Sequence, residues 1–267
     1  MRIRIIDAFT DRPFAGNPAG VCLLDGPNWP DEGWMQQVAA EMNLAETAFA
    51  RPDPGPDADW GLRWFTPAVE VRLCGHATLA TTHALRSDGL LKGKVRFATR
   101  AGVLTAEADD DGSITLDFPI APVTPIRAPD GLAEALGVTP TAVFDTGALD
   151  DIVVEVADAS AVRDLRPDLT RLAELTRRGV AVTAPGPEDG IDFISRFFAP
   201  AVGVPEDPVT GSAHTALAAL WSDKLGRDEL VGLQASARSG VVRTRVVGDR
   251  VLLTGHAVTT LDGALLC

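Results

Sequence analysis

The sequence predicts an α+β protein that consists of two similar halves, and three observations support this prediction. Strand-like and helix-like segments alternate along the 267 residues. A proline-rich stretch at residues 119–125 interrupts the pattern near the middle and is the best candidate for a linker between two domains. On each side of this stretch, a strand, a proline, a loop and a glycine precede one helix of small residues.

Local patterns predict the elements of the first half. Trp34, Val38 and Met42 recur every four residues after Pro30-Asp31, which predicts one face of a helix. A second helix, from Ala77 to Arg86, carries almost no charge, so we expect it to be buried on all sides. The full predicted order is strands at 3–9 and 19–24 around a loop at 10–18, the first helix, strands near 46–50 and 61–66, the second helix, and a three-strand meander over 93–118 that turns at Asp110-Asp111-Gly112.

The second half repeats part of the first. Arg196-Phe197-Phe198-Ala199-Pro200 aligns with Arg63-Trp64-Phe65-Thr66-Pro67, and a helix rich in small residues follows each segment. This shared order favours an internal duplication. The predicted elements of the second half are a helix near 130–136, strands near 141–156, helices near 158–176, strands near 179–183 and 191–198, a helix at 212–222, and strands to the end.

The charge of the chain excludes several classes of partner. It has 24 basic and 37 acidic residues, which give a formal net charge of −13. Such a surface repels nucleic acids and anionic membranes, and no run of about 18 apolar residues predicts a membrane span. Cys22, Cys74 and Cys267 cannot all pair within one chain, so the sequence favours a reduced, cytoplasmic setting.

Metal and nucleotide chemistry find no support in the sequence. The four histidines form no HExxH motif, and no cysteine–histidine cluster has ligand spacing. Glycine-rich phosphate loops of the Walker or dinucleotide type are absent from the sequence as well. We therefore expect no metal site and no phosphate loop for a nucleotide.

Two glycines at predicted helix starts suggest a site for a small anion. Backbone N–H groups at the start of a helix point outward, and the helix dipole makes that end partly positive. The starts at Gly75-His76 and Gly211-Ser212 could together hold a small carboxylate and stabilise charge that develops beside it. The alternative is that both are ordinary buried helices that begin with glycine.

Three further side chains are candidates for proton transfer. If residues 43–49 form a strand, Glu46 shares a face with Leu44 and Ala48, and an apolar face raises the pKa of a carboxyl group towards neutrality. His76 at a helix start should stay neutral. Asp207 precedes Pro208 in a stiff loop before the second helix. An exposed edge-strand Glu46, a structural His76 and an ordinary Asp-Pro turn remain the alternatives.

Five pieces of the sequence occur in an order that is specific when taken together. They are Asp7-Ala8-Phe9-Thr10 with Phe14-Ala15-Gly16-Asn17-Pro18-Ala19-Gly20-Val21; Asn43-Leu44-Ala45-Glu46-Thr47-Ala48-Phe49; Arg63-Trp64-Phe65-Thr66-Pro67 with Glu70-Val71; Leu73-Cys74-Gly75-His76-Ala77-Thr78-Leu79; and residues 197–213. On these pieces the sequence resembles the PhzF family of phenazine-biosynthesis-like isomerases, within the diaminopimelate-epimerase fold.

The resemblance implies the architecture. It implies two pseudo-symmetric domains, each a β-barrel-like sheet around a central helix, with the active site between them. The final strand would return to the first domain. The expected domains are therefore residues 1–119 with about 255–267, and residues 120–254. Members of the family are generally free of cofactors and often homodimeric, so the resemblance implies a homodimer that acts on a small carboxylate.

The resemblance also implies roles for individual residues. Glu46 stands at the position of the acidic residue that moves a proton between two carbons of a cyclic dihydro-hydroxyanthranilate in the best-understood member. Asp207, His76 and Ser212 stand at the positions of its partners. Further residues stand at substrate-binding positions: Gly75, Gly211, Asn17 and Pro18. The substrate itself does not carry over from the family to this sequence.

Two other functions remain open from the sequence. Amino-acid racemases of the same fold use two thiols, one at the start of each central helix, where the dipole lowers the thiol pKa. Cys74 occupies the first of these positions, but Thr210 occupies the second, and its hydroxyl does not ionise near neutral pH. The other alternative is a catalytically silent binding protein that has kept the same fold.

Overall fold

The computed structural model describes residues 1–53, 55–187 and 190–266. The chain divides into two compact units, and its last segment belongs to the first of them. The first unit contains Met1–Asp117 and Thr254–Cys267, and the second contains Phe118–Leu253. Cys267 lies outside the described residues, so the expectation about its thiol is not addressed by the structure.

The helices and strands alternate much as the sequence predicts. The helices are α1 (Glu32–Met42), α2 (Gly75–Ser87), α3 (Leu132–Leu136), α4 (Ala159–Arg163), α5 (Leu169–Leu175) and α6 (Gly211–Leu225). The strands are β1 (Arg2–Ala8), β2 (Asn17–Leu23), β3 (Glu46–Pro52), β4 (Trp60–Phe65), β5 (Glu70–Val71), β6 (Gly93–Thr99), β7 (Gly102–Ala108), β8 (Ile114–Pro119), β9 (Thr124–Pro125), β10 (Ala142–Asp145), β11 (Asp151–Glu155), β12 (Gly179–Pro185), β13 (Phe193–Ala199), β14 (Val204–Asp207), β15 (Glu229–Gln234), β16 (Gly240–Val247), β17 (Arg250–Gly255) and β18 (Ala257–Ala264).

The two units share one order of strand pairing. In the first unit β1 is antiparallel to β2, β2 is parallel to β3, β3 is antiparallel to β4, and β4 is parallel to β6, which returns antiparallel into β7. In the second unit β10, β11, β12, β13, β15 and β16 pair in the same sequence of directions. This repetition confirms the predicted α+β fold of two pseudo-symmetric halves.

One helix lies at the centre of each unit. Helix α2 packs against β1, β2, β3 and β7, and α6 packs against β11, β15 and β16. Nine residues of each helix are buried. The small side chains of these helices allow strands to approach on several sides, as expected for a helix that has no polar face. The prediction of a buried second helix is therefore confirmed, and the helix begins two residues earlier than predicted.

The sheet of the second unit is buried on both faces. Phe193 and Phe197 of β13 belong to one apolar cluster with Trp221 of α6, whereas Ile194 and Phe198 belong to a second cluster that contains residues of α3, α4 and α5. Successive strand residues point to opposite faces, so a strand with a core on each side needs a nearly continuous apolar run. This explains the sequence of β13 around its one arginine.

This residue, Arg196, forms an ion pair with a glutamate, and an equivalent ion pair is present in the first unit. Arg63 pairs with Glu70 through two hydrogen bonds of 2.8 and 2.6 Å, and its guanidinium lies 5.1 Å from the ring centre of Phe65. In the second unit Arg196 pairs with Glu206 at 2.7 and 3.0 Å and lies 4.9 Å from the ring centre of Phe198. The aligned Arg-x-Phe segments therefore have equivalent structural roles.

The structure departs from the predicted elements in several places. The predicted loop at 10–18 ends earlier, because Asn17 and Pro18 already belong to β2 and pair with Ala8 and Asp7. The proline-rich segment contains the short strand β9, which pairs with β10. The two-residue and four-residue strands β5 and β14 are too short to leave a periodic pattern in the sequence. Within the described ranges, no helix is long and apolar enough to cross a membrane.

Candidate active site

A carboxylate, an imidazole and a thiol meet at one point of the first unit. Glu46 is the first residue of β3, and Cys74 and His76 flank the first residue of α2. His76 Nε2 lies 3.3 Å from Glu46 Oε2, and His76 Nδ1 lies 3.5 Å from Cys74 Sγ. The imidazole therefore stands between the carboxylate and the thiol, with one ring nitrogen turned to each.

Burial keeps this imidazole neutral. His76 is 5% exposed, and burial lowers its pKa to about 3. The structural cause is the loss of water around the ring, not the helix start from which the sequence predicts a neutral His76. A neutral imidazole has one N–H and one acceptor nitrogen, so it can donate to only one of its two neighbours at a time.

The surroundings of Glu46 differ from those predicted. Because β3 begins at Glu46, Leu44 precedes the strand and does not share its face, although Ala48 lies two residues further along β3 and is buried. The Glu46 side chain is 20% exposed, so it reaches water while it contacts a fully enclosed ring. A carboxylate in this position can accept a proton from a bound molecule and return it.

Glu46, Cys74 and His76 also form a group that could hold a metal ion. One ligand atom from each lies within 4.8 Å of the other two. The sequence predicts no such group, because spacing along the chain does not show that β3 and α2 begin side by side. However, the thiol and the carboxylate contact opposite nitrogens of the ring, and a single ion binds only one of these nitrogens. The carboxylate approaches Nε2 at 3.3 Å without forming a hydrogen bond, so the three groups are in contact but are not one hydrogen-bonded chain.

Three further predicted residues lie around this cluster. Gly75 is the first residue of α2 and separates Cys74 from His76. Asn17 and Pro18 directly precede Ala19, which is the parallel partner of Glu46 in the sheet. Asn17 is fully buried, and Pro18 is partly exposed. The first unit thus brings Glu46, His76, Gly75, Asn17 and Pro18 to the same end of its sheet.

In the second unit, hydrogen bonds fix the loop that carries Asp207. Thr210 Oγ1 donates to Asp207 Oδ2 at 2.5 Å. The buried Gln234 side chain accepts from the Thr210 N–H at 2.8 Å and donates to the Asp207 carbonyl at 2.7 Å. Pro208 lies between them, and Ser236 donates to its carbonyl at 2.9 Å. These bonds hold the Asp207 carboxylate in one place at the start of α6.

Ser212 follows Gly211 at the start of α6. It contacts an ion pair between Asp151, the first residue of β11, and Arg178, which directly precedes β12. Arg178 Nη2 donates to Ser212 Oγ at 2.8 Å, and Arg178 Nη1 donates to Asp151 Oδ2. Asp151 is 2% exposed, and burial raises its pKa to about 7 although the Arg178 charge opposes this shift. The Arg178 guanidinium lies 5.3 Å from the ring centre of Phe197.

The position that Glu46 occupies in the first unit has no side chain in the second. Glu46 is the parallel partner of Ala19, one residue before Thr47, which pairs with Phe65. In the second unit Phe198 is equivalent to Phe65, and it pairs with Val180. Gly179 directly precedes Val180 and is therefore equivalent to Glu46. A Cβ at Gly179 would lie 2.5 Å from Cζ of Phe197 and 2.9 Å from the carbonyl oxygen of Phe198. The second unit therefore cannot place a carboxylate at this point.

Patterns in the sequence do not identify the polar residues that support Asp207 and Ser212 in the second unit. Arg178, Asp151 and Gln234 lie on three different strand regions, and none of them belongs to a motif. The only available signal was the pair Arg177-Arg178 directly before a buried strand. A charged residue at the entrance of a buried strand requires a partner, but the sequence does not identify that partner.

Comparisons with known proteins agree with this architecture. Residues 6–263 match the family model PhzC-PhzF, described as phenazine biosynthesis-like protein. An uncharacterized isomerase of Pseudomonas aeruginosa is 48% identical over 262 residues, which are 97% of this chain and 96% of that protein. The crystal structure of a PhzF-family phenazine biosynthesis protein from Enterococcus faecalis is similar with a TM-score of 0.91 and 35% identity, and the match covers 99% of each chain.

A more distant structure shares the fold alone. A hydroxyproline epimerase from Agrobacterium vitis has a TM-score of 0.62 at 14% identity, over 98% of this chain and 91% of that one. Together with the repeated pairing order, this likeness places the fold among the epimerase-like folds. The chain belongs to the PhzF family of phenazine biosynthesis-like proteins, and its relatives support an isomerase or epimerase in general terms.

Proposed function

We propose that this protein is an isomerase that moves a proton between two carbons of a small carboxylate substrate, with Glu46 as the group that carries the proton. The observation that supports this most directly is the 3.3 Å contact between Glu46 Oε2 and Nε2 of the buried, neutral His76. A neutral imidazole can orient the carboxylate without neutralising its charge, so Glu46 keeps the ability to accept a proton.

The difference between the units supports chemistry with one base. A racemase needs an acid or base on each face of the substrate carbon, whereas moving a proton between two carbons on one face needs a single group that takes it up and returns it. Gly179 stands where a second Glu46 would be, and Thr210 stands where a second Cys74 would be. Only the first unit therefore offers a titratable group at either of these positions.

Other predicted residues have supporting roles in this proposal. The starts of α2 and α6 at Gly75 and Gly211 offer backbone N–H groups to a carboxylate. Asp207 and Ser212 are proposed as partners in the reaction on the strength of the family resemblance, and their fixed geometry in the second unit is compatible with that role. We further propose that the reaction needs no cofactor, because a carboxylate can itself hold the transferred proton.

The proposal is tested by deuterium incorporation. The protein would be incubated in D₂O with a panel of dihydro-hydroxyanthranilate, anthranilate, diaminopimelate and trans-4-hydroxy-L-proline, and mass spectrometry would follow each compound. We expect deuterium to enter a carbon-bound position of the compound that responds, together with a shift of its double bonds. Epimerisation of diaminopimelate or hydroxyproline without such a shift would contradict the proposal and favour racemase chemistry.

A racemase that uses Cys74 is the second candidate, because one observation favours it. Cys74 Sγ lies 3.5 Å from Nδ1 of His76, close enough for a hydrogen bond between the thiol and the neutral ring. A thiolate at the start of α2 would also be stabilised by the helix dipole. This candidate requires a second acid, which the Thr210 hydroxyl does not supply near neutral pH. The Cys74 and Glu46 variants described in the Discussion distinguish the two candidates.

A further inference from the structure

We propose that Arg178, held by the buried Asp151, is a positioning residue that makes the Ser212 hydroxyl donate its hydrogen to an oxygen atom of the substrate. This inference rests on the proposed function, because it assumes that Ser212 contacts the substrate. It adds two residues, Arg178 and Asp151, and it states the chemical character of the group that Ser212 recognises: a hydrogen-bond acceptor such as a carboxylate or carbonyl oxygen.

The direction of one hydrogen bond is the basis of the inference. A guanidinium group has five N–H donors and no acceptor, so Ser212 Oγ must be the acceptor in its 2.8 Å contact with Arg178 Nη2. The hydroxyl hydrogen of Ser212 is therefore not used in this bond. Across residues 1–53, 55–187 and 190–266, no other side chain hydrogen-bonds to Ser212 Oγ. The hydroxyl is left as a donor, and the adjacent positive charge strengthens it in that role.

Asp151 explains why the guanidinium stays in place. Its carboxylate is 2% exposed and accepts from Arg178 Nη1, so the removal of Arg178 would leave a buried charge without its cationic partner. The second carboxylate oxygen, Asp151 Oδ1, is buried without a hydrogen bond. The charge of this side chain therefore depends strongly on its ion pair with Arg178. The raised pKa of Asp151 is consistent with the cost of this burial.

The rest of the arginine side chain is also restrained. Its guanidinium lies over the Phe197 ring at 5.3 Å, which adds a cation–π contact to the two hydrogen bonds. Arg178 is still 33% exposed, so water or a small molecule can reach the neighbourhood of Ser212. One guanidinium nitrogen of Arg178 thus donates to the buried Asp151, and the other donates to the Ser212 hydroxyl. A lysine with its single nitrogen cannot reproduce this arrangement.

The first test measures the anchoring without any ligand. In ¹⁵N NMR spectra, the Nη signals of a restrained guanidinium are separate, whereas free rotation merges them. We expect separate Nη signals for Arg178 in the wild type and merged signals in Asp151→Asn. Merged signals in the wild type would overturn the positioning role. Arg177→Met is the matched control, because Arg177 is 87% exposed in a 3.3 Å pair with Asp150, and it should leave the Arg178 signals unchanged.

The second test measures the hydrogen bond to a ligand, with anthranilate as the probe carboxylate in titration calorimetry. We expect Ser212→Ala to weaken anthranilate binding by about tenfold or more. Arg178→Met should weaken it by a similar factor, and the double variant should lose no more than either single variant, because Arg178 acts through Ser212. Arg178→Lys should not restore the affinity, and Arg177→Met should retain it.

Two outcomes of the calorimetry would overturn the inference. If Arg178→Met weakens binding by a further tenfold in the Ser212→Ala background, Arg178 contacts the ligand directly. If the wild type fails to bind anthranilate, or binds it as tightly as Ser212→Ala does, the donor role is wrong. Arg178→Met leaves Asp151 as an unpaired buried charge. The double variant Arg178→Met/Asp151→Asn removes both charges and serves as the neutral comparison. Thermal unfolding checks that each variant is folded.

The tests separate this inference from the proposed function. Neither the NMR signals of Arg178 nor the affinity for anthranilate depends on proton transfer by Glu46. Loss of Arg178 restraint with normal deuterium incorporation would remove the positioning role and keep the isomerase. The opposite result is separate Nη signals and coupled binding losses, but deuterium incorporation that does not depend on Glu46. It would keep the positioning role and remove the proposed mechanism.

Discussion

His76 Nε2 lies 3.3 Å from Oε2 of Glu46, although the two residues are thirty positions apart in the sequence. The contact forms because β3 begins at Glu46 and α2 begins one residue before His76, at the same end of the first unit. An enclosed, neutral ring and a partly exposed carboxylate have different tasks in such a pair. In the proposed mechanism the ring orients the carboxylate, and the carboxylate exchanges protons.

Replacement of Glu46 by glutamine should abolish proton transfer while the fold is retained. Glutamine keeps the shape of the side chain but cannot accept a proton at neutral pH, so deuterium incorporation into the responsive compound should fall by about 100-fold or more. Mass spectrometry after incubation in D₂O measures the rate. Glu41→Gln is the matched control, because Glu41 is an exposed glutamate near the end of α1.

Two results would count against this role for Glu46. Turnover of the glutamine variant close to that of the wild type would remove Glu46 from the mechanism. A large fall in thermal stability would indicate that the carboxylate has a structural task instead.

Replacement of Cys74 by alanine should leave most of the isomerase activity in place. If Glu46 carries the proton, the thiol only fills space beside His76, and its loss should destabilise the protein by about 1 kcal/mol. The rate of deuterium incorporation and the free energy of unfolding in urea measure the two effects. An inactive alanine variant beside an active Glu46→Gln variant would identify a cysteine-based enzyme.

Burial of His76 should make the stability of the protein depend on acid pH. The unfolded imidazole binds a proton below a pKa of about 6.5, whereas the folded one stays neutral down to a pKa of about 3. Between these values the unfolded state binds more protons, so the free energy of unfolding should rise with pH. Urea unfolding at pH values from 4 to about 7 would measure this slope.

The variant His76→Gln isolates this contribution, because other buried groups, such as His214, affect both proteins alike. We expect a smaller slope in the variant over the same pH interval. Equal slopes in the two proteins would show that His76 is protonated in the folded state.

Binding of carboxylates should not require a divalent metal ion. The helix starts at Gly75 and Gly211 offer N–H groups that bind an anion directly, and the His76 ring cannot bind one ion through both of the nitrogens that contact its neighbours. Calorimetric titration of anthranilate should give the same affinity before and after treatment with EDTA. Binding that appears only when Zn²⁺ is added would instead assign Glu46, Cys74 and His76 to a metal site.

Arg196→Met should strongly destabilise the protein. Arg196 is 9% exposed, pairs with Glu206 and donates to the carbonyl groups of Val162, Arg163 and Leu165. Its removal leaves a partly buried carboxylate and three carbonyls with fewer partners, so we expect a loss of about 3 kcal/mol in the free energy of unfolding.

Chemical unfolding in urea measures this loss. Arg245→Met is the matched control in the same unit, because its 3.6 Å pair with Glu229 is exposed and should be worth at most about 1 kcal/mol. Equal effects of the two variants would contradict the structural role assigned to the Arg196–Glu206 pair.

Much of the fold followed from patterns that act over short distances. The spacing of Trp34, Val38 and Met42 predicted α1, and the absence of charge predicted that α2 is buried. The aligned segments at Arg63 and Arg196 predicted the duplication, because the same packing in both units requires similar residues at equivalent positions. The strand ends were less certain, since β2 begins two residues earlier than predicted, and Leu44 precedes β3 and does not share its face.

The sequence by itself determined the fold class, the two central helices and the residue types available for chemistry, because hydrophobic periodicity and glycine positions act locally. Only the tertiary structure decided which side chains meet. It placed Cys74 and Glu46 on opposite nitrogens of His76, brought Asp151 and Arg178 to Ser212, and left no space for a side chain at Gly179. These relationships depend on strand register and on burial by distant segments, and neither leaves a pattern along the chain.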